Sequence, residues 1–255
     1  TPEGFRFVYD RFAVNPTGSY AMVQASTHEN AAHLPDDYIS TLEETYTPEL
    51  IQAYLNGEFV NLTSGSVYRA FDRQRNGSAE KIEGKEALFI GMDFNIGNMA
   101  AAIKVKRENG MHTVAEIVDG VDTPSMIETL KAKYPENKKT IYPDASGKNT
   151  SSKGADLSDI GLLTQAGFAI KAKPANPPVK SRVLAVNKGF SDMTEWVNAA
   201  TAPTIAAHLE QQAYDKNGEP DKKSGTDHTN DAFGYETVYE RPVVRPVHNL
   251  TELRL

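Results

Sequence analysis

Ala87-Leu88-Phe89-Ile90-Gly91-Met92-Asp93-Phe94-Asn95 is the stretch on which the fold turns. Six residues without a charge read as a strand buried on both faces, and the run then ends on a carboxylate. Working outward, 99–105 and 113–118 read as two further strands. The short links Asn95-Ile96-Gly97-Asn98 and Glu108-Asn109-Gly110 suit hairpins. The rhythm then changes to alternation. A helix is expected over 124–133, a strand at 140–142, a helix over 156–165 stopped by Gly167, a strand at 168–172 and a helix over 179–187. Antiparallel strands followed by strand–helix alternation give an α/β chain, a mixed sheet flanked by helices. The first 60 residues differ. They offer a strand-like run at 19–24 and helical patterns at 36–44 and 47–55, the latter with Pro48 at its first helical position, but no complete core.

The chain has 255 residues, with 27 Lys+Arg against 34 Asp+Glu and a formal charge of −7. An acidic balance excludes a protein that holds nucleic acid by bulk charge alone, though not one that holds metal through carboxylates. The absence of cysteine excludes a disulfide scaffold, a thiolate metal site and a cysteine nucleophile. No run of residues reaches the length of a membrane span. The opening Thr1-Pro2-Glu3-Gly4 lacks a methionine, which suggests a piece of a longer chain.

Three aspartates stand out. Asp93 closes the apolar run, where an uncompensated buried carboxylate costs several kcal/mol. Asp144, in Tyr142-Pro143-Asp144-Ala145-Ser146-Gly147, follows the strand at 140–142, on the sheet edge where ligands gather in open α/β folds. Asp231 lies in Asp227-His228-Thr229-Asn230-Asp231-Ala232-Phe233. If that stretch opens a helix, Asp227 and Asp231 share a face, with His228 one turn before Asp231. Each has an ordinary reading by itself, as a strand-end cap, a turn residue or a helix-start acid. Taken together they match the need of two divalent ions about 4 Å apart for oxygen ligands from separate elements. Hard oxygen donors favour Mg2+ or Mn2+.

In that order and spacing the sequence resembles the ribonuclease-H-like (retroviral-integrase-like) nuclease domain of the large terminase subunit of tailed bacteriophages. The resemblance also draws on Gly65-Ser66-Val67-Tyr68 to Asp72, on Asn176-Pro177-Pro178-Val179-Lys180-Ser181-Arg182-Val183, and on Tyr214 to Pro220. It implies a linker and the end of an absent ATPase domain over 1–60, and the nuclease over 61–255. No Gly-x-x-x-x-Gly-Lys-Ser/Thr loop occurs, since Ser146-Gly147-Lys148-Asn149 lacks both the first glycine and the hydroxyl.

What the resemblance implies is a metal-dependent endonuclease that cuts double-stranded DNA during viral genome packaging with little sequence preference. Asp93, Asp144 and Asp231 would hold two Mg2+ or Mn2+ ions. His228 would support them, and Asp227 would be a fourth ligand or a helix cap. DNA would track Lys139, Lys148, Lys153, Lys171, Lys173, Lys180 and Arg182, in a stretch where basic residues outnumber acidic ones. Implied partners are a portal protein and a small terminase subunit, in the cytoplasm of the host cell. The full-length motor would be a homo-oligomer, with a monomer allowed for the fragment. Two other readings stay open: a junction resolvase of the same fold, and an actin-like nucleotide-binding module without nuclease activity.

Overall fold

A computed structural model describes residues 10–14, 17–19, 21–45, 51–52, 54–58, 65–145, 158–215 and 219–243. The chain divides into two units. One comprises Thr1–Arg69 and Ala207–Asp227, the other Ala70–Ala206 and His228–Leu255.

The larger second unit carries six strands: β1 (Leu88–Asp93), β2 (Met99–Arg107), β3 (Gly110–Gly120), β4 (Lys139–Pro143), β5 (Ala169–Ile170) and β6 (Glu195–Val197). Their order is β5-β4-β1-β2-β3-β6. β1, β2 and β3 form an antiparallel meander, whereas β4 lies parallel to β1, β5 parallel to β4, and β6 parallel to β3. This is the mixed sheet that the alternation predicted. The short edge strand β6 was not anticipated, because three residues do not establish a period.

Side-chain alternation divides the sheet into two faces. Leu88, Ile90 and Met92 of β1, Ala101, Ile103 and Val105 of β2, and Ile141 of β4 pack with Met126, Leu130, Leu163 and Phe168. Those partners come from α2 (Thr123–Lys133), α3 (Asp159–Gln165) and the turn after it. Each large aliphatic side chain buried there contributes about 1.5–3 kcal/mol. Asp122 caps α2 by accepting from Ser125 N–H, with Pro124 in the first turn. Ser158 caps α3 in the same way through Gly161 N–H.

The opposite face is cut low. Gly91 pairs with Ala102, and Asp93 with Ala100. Over these small residues lies α6 (Asp227–Glu240). A Cβ on Gly91 would meet the Ala232 carbonyl oxygen at 1.8 Å, so the helix sits on β1 itself. Beside α6 runs α4 (Val179–Ser191), with Phe190 stacked on Phe233 at 5.5 Å between ring centroids. At Gly234 of α6, a Cβ would strike the Arg182 side chain at 2.5 Å, which is why a residue without one stands there.

In the first unit, a short 3-10 helix (Thr27–His33) is capped reciprocally by Ser26 and Glu29. Thr27 N–H and the Ser26 hydroxyl both donate to the carbonyl of buried Leu55, at 2.7 and 3.0 Å. α1 (Tyr38–Thr45) follows within the expected 36–44 window. Residues 21–24 form no strand, against the expectation for 19–24. That run finds no hydrogen-bonded neighbour to make it one. Of the helix expected at 47–55, residues 46–50 and 53 lie outside the described residues. Ser66 bridges Ala213, and Val67 N–H donates to the Gln212 carbonyl at 2.9 Å. α5 (Pro203–Gln211) leads from the second unit into the first. Among the described residues no helix is long and apolar enough to cross a membrane.

Candidate active site

The sheet places the first two acids side by side. β1 and β4 are parallel, in a register that matches Met92 with Pro143. One step further Asp144 N–H donates to the Met92 carbonyl at 3.0 Å, so the ladder delivers Asp144 beside Asp93. Asp93 shares its face of β1 with Gly91, and that is the face α6 covers. The close approach at Gly91 therefore brings the N-terminal turns of α6, with His228 and Asp231, to the same edge.

Asp93 is the buried centre, with 7 % of its surface exposed. Its carboxyl is pushed up to about 7, first by burial and then by the negative charge of Asp231, with a smaller contribution from Asp144; the hydrogen bond from His228 works in the opposite direction. The imidazole Nδ1 of His228 donates to Asp93 Oδ2 at 3.1 Å, and Asn95 Nδ2 donates to Nε2 at 2.8 Å. Asp93, His228 and Asn95 thus form a chain in which the amide fixes the tautomer that faces the carboxylate.

The other two acids are each held by a neighbour. Asp144 Oδ1 accepts from Asn176 Nδ2 at 2.5 Å, and Asn176 Oδ1 in turn accepts from Ala145 N–H at 2.8 Å. Asp231 Oδ1 accepts from Arg182 Nη2 at 2.5 Å. Arg182 is 3 % exposed, and its guanidinium lies 4.9 Å from the Tyr235 ring centroid. Burial also raises the Tyr235 hydroxyl.

Among the described residues no three His, Asp or Glu side chains are already assembled as a cage for a metal ion. The donor chemistry nevertheless fits a hard divalent cation. Carboxylates from three elements raise one another's cost of ionisation at one edge, and a cation would remove that cost.

The remaining sequence candidates fall in several places. Asp227 is buried at the first position of α6 and belongs to the first unit. Lys171 and Lys173 follow β5 on the Asp144 side of the sheet, and Lys180 is exposed on α4. Arg182 does not face solvent as a phosphate-tracking residue would, because its head group is committed to Asp231. Lys139 also departs from that expectation. It starts β4, whereas Asp144 follows its end, so it lies about 16 Å away along the strand. Lys139 is 9 % exposed, its ammonium donates to the Tyr134 and Asn137 carbonyls, and burial lowers its pKa. Lys148 and Lys153 lie outside the described residues. His112 is buried against Trp196 and hydrogen-bonded to Ser78 and Asn109, in keeping with core packing.

Asn95 and Asn176 were missed as site residues. Asn95 carried a signal, since it stands two residues after Asp93 in an extended segment. Asn176 carried none, being exposed and far from Asp144 in the chain.

Residues 90–240 match the family model of the terminase RNaseH-like domain. Residues 1–75 match that of the N-terminal region of the T4-like large terminase subunit. Among solved structures the chain is similar to a full-length large terminase from a thermophilic bacteriophage, with 17% identity and a TM-score of 0.54, over 86% of this chain and 55% of that one. It is also similar to the P22 large terminase nuclease domain, with 14% identity and a TM-score of 0.54, over 70% and 94% of the two chains. The large terminase nuclease of another thermophilic phage, G20c, solved with bound cobalt, gives 13% identity and a TM-score of 0.50, over 69% and 97%. The chain thus spans about half the length of the first of these proteins. No protein of curated function matches it. Because the RNaseH-like model alone covers more than half of the sequence, the chain belongs to the large terminase subunit family and carries that family's RNaseH-like domain.

Proposed function

We propose that this chain is a metal-dependent endonuclease that hydrolyses double-stranded DNA during viral genome packaging, with Asp93, Asp144 and Asp231 as ligands of two Mg2+ or Mn2+ ions. One observation carries the reading. Asp93 is buried among other carboxylates on the sheet edge, which pushes it up to about 7, and a multivalent cation is what would balance the arrangement. The bound cobalt of the G20c nuclease supports a divalent ion in this fold.

When bound, the ions would lower the pKa of a water and stabilise charge on the phosphate and the leaving 3′ oxygen. The chain's own side chains would do the positioning. His228 donates to Asp93 Oδ2 and leaves Oδ1 for an ion. Asn176 orients Asp144, and Arg182 orients Asp231, each through one carboxylate oxygen. Asp227 would serve as a further ligand or as the cap of α6. Lys171, Lys173 and Lys180 would meet the DNA backbone rather than base edges, so cutting would show little sequence preference. Lys148 and Lys153 are assigned the same role. A portal protein, a small terminase subunit and further copies of the chain would be partners in the full motor, in the host cytoplasm.

Digestion of a supercoiled plasmid with Mn2+ tests this reading. Cutting that stops with chelator and with Asp93→Ala is expected. Cutting that survives Asp93→Ala sinks the site. Cutting confined to branched DNA would favour a junction resolvase, and ATP binding without cutting an actin-like module.

A further inference from the structure

Beside the acids lies a pocket that the metal site does not use. Its floor and walls come from Tyr142 at the end of β4, from Lys171, Lys173 and Asn176 after β5, and from Tyr235 and Tyr239 on α6. Tyr142 and Tyr239 meet edge-on, with ring centroids 5.4 Å apart at 70°. Lys171 is pinned to Glu240 at 2.6 Å, and the Tyr142 hydroxyl donates to the same carboxylate at 2.5 Å. The ammonium of Lys173 lies 5.6 Å from the Tyr239 ring centroid. These contacts arrange two cations at the mouth of a tyrosine-walled recess.

Two connections tie the pocket to the acids. Asn176, in its wall, is the residue that holds Asp144. Tyr235 stands one helical turn after Asp231. A molecule in the pocket is therefore a direct neighbour of whatever is cut.

The geometry points to a subsite for one nucleotide of the strand being cut, its phosphate at Lys171 and Lys173 and its sugar and base against Tyr239 and Tyr235. This inference rests on the nuclease reading for its biological meaning. A flat apolar face and an anion on one small ligand are what tyrosine walls and lysine ammonium groups jointly select. Free phosphate would use the lysines and leave the tyrosines idle.

The test uses thymidine 3′,5′-bisphosphate with the full 255-residue chain in excess chelator, so that no metal-mediated binding contributes. Titration followed by amide NMR should show saturable shifts confined to 171–177 and 235–239. Lys173→Ala and Tyr239→Leu should each weaken binding about tenfold. Lys188→Ala, an exposed lysine on α4 paired with Asp192, should leave it unchanged. Should Tyr239→Leu fail to fold, Lys173→Ala carries the test alone. Absence of saturable binding, unchanged affinity in Lys173→Ala, or inorganic phosphate binding as tightly as the bisphosphate would overturn the subsite. Plasmid cutting by the same preparation with Mn2+ keeps the two readings apart. Binding without cutting retires the nuclease, and cutting without binding retires only the pocket.

Discussion

α6 carries two buried groups of charges onto the same face of one sheet, and they are built on opposite plans. Toward its C-terminus, Lys104, Glu195 and Glu236 are fully buried and Arg241 is half-buried beside them. Lys104 Nζ meets Glu236 Oε2 at 2.9 Å and Glu195 Oε2 at 3.2 Å, and it lies 3.8 Å from the Phe233 ring centroid. Arg241 pairs with both glutamates, and Thr237 links Lys104 to Glu195. Two cations answer two anions, with hydrogen bonds to spare. Toward the N-terminus, three aspartates and a histidine share an edge where the nearest fixed cation, Arg182, answers Asp231. Burial by itself therefore does not mark function in this molecule. An unbalanced buried charge does, because a fold retains such a cost only where something outside the chain will offset it.

Breaking the unbalanced group should cost chemistry and spare the fold. Asp93→Asn is expected to lower Mn2+-dependent plasmid cutting by about a thousandfold, several kcal/mol of lost charge stabilisation. The same variant should melt no lower than the parent without metal. Breaking the balanced group should do the reverse. Lys104→Met leaves two buried glutamates with Arg241 alone and should cost about 3–5 kcal/mol in urea denaturation. Equal stability in that variant would mean that the pairing is not what holds α6 down.

Gly91→Ala probes what the two groups share. Its Cβ would meet the Ala232 carbonyl oxygen at 1.8 Å, and that atom is backbone that cannot turn aside. About 1–3 kcal/mol of overpacking is expected by denaturation. Cutting should fall further than stability, because the shift separates Asp231 and His228 from Asp93.

The smallest effect is pH dependence without metal. The folded value of Asp93 is raised from 3.8 to about 7. The unfolded chain therefore releases that proton first, and the stability it confers is present below about pH 4 and lost as pH rises to about 7. Melting curves of the parent and of Asp93→Asn should coincide near pH 4 and diverge by about 4 °C at pH 8, with the variant higher. Parallel curves would show that the acids do not burden one another.

Much of this was readable before any coordinates. The run ending at Asp93, the Asp after a second strand and the Asp-His-x-x-Asp helix start are local patterns whose periods fix which side chains share a face. Reading failed where the outcome depended on partners distant in sequence. Lys139 looked close to Asp144, but a strand carries its two ends to opposite edges of a sheet. Arg182 looked like a surface cation, yet the absence of a side chain at Gly234 opens the space that buries it against Asp231. Residues 21–24 have the alternation of a strand and no neighbour to pair with.

The sequence alone determined the order of elements, the apolar faces and the positions of the acids along them, since these follow from local period and composition. Only the tertiary structure decided that α6 descends onto Gly91, that Asn95, Asn176 and Arg182 are the groups holding the acids, and that Lys171 and Lys173 share a recess with three tyrosines. Those outcomes depend on the packing of segments up to about 140 residues apart, which no local pattern encodes.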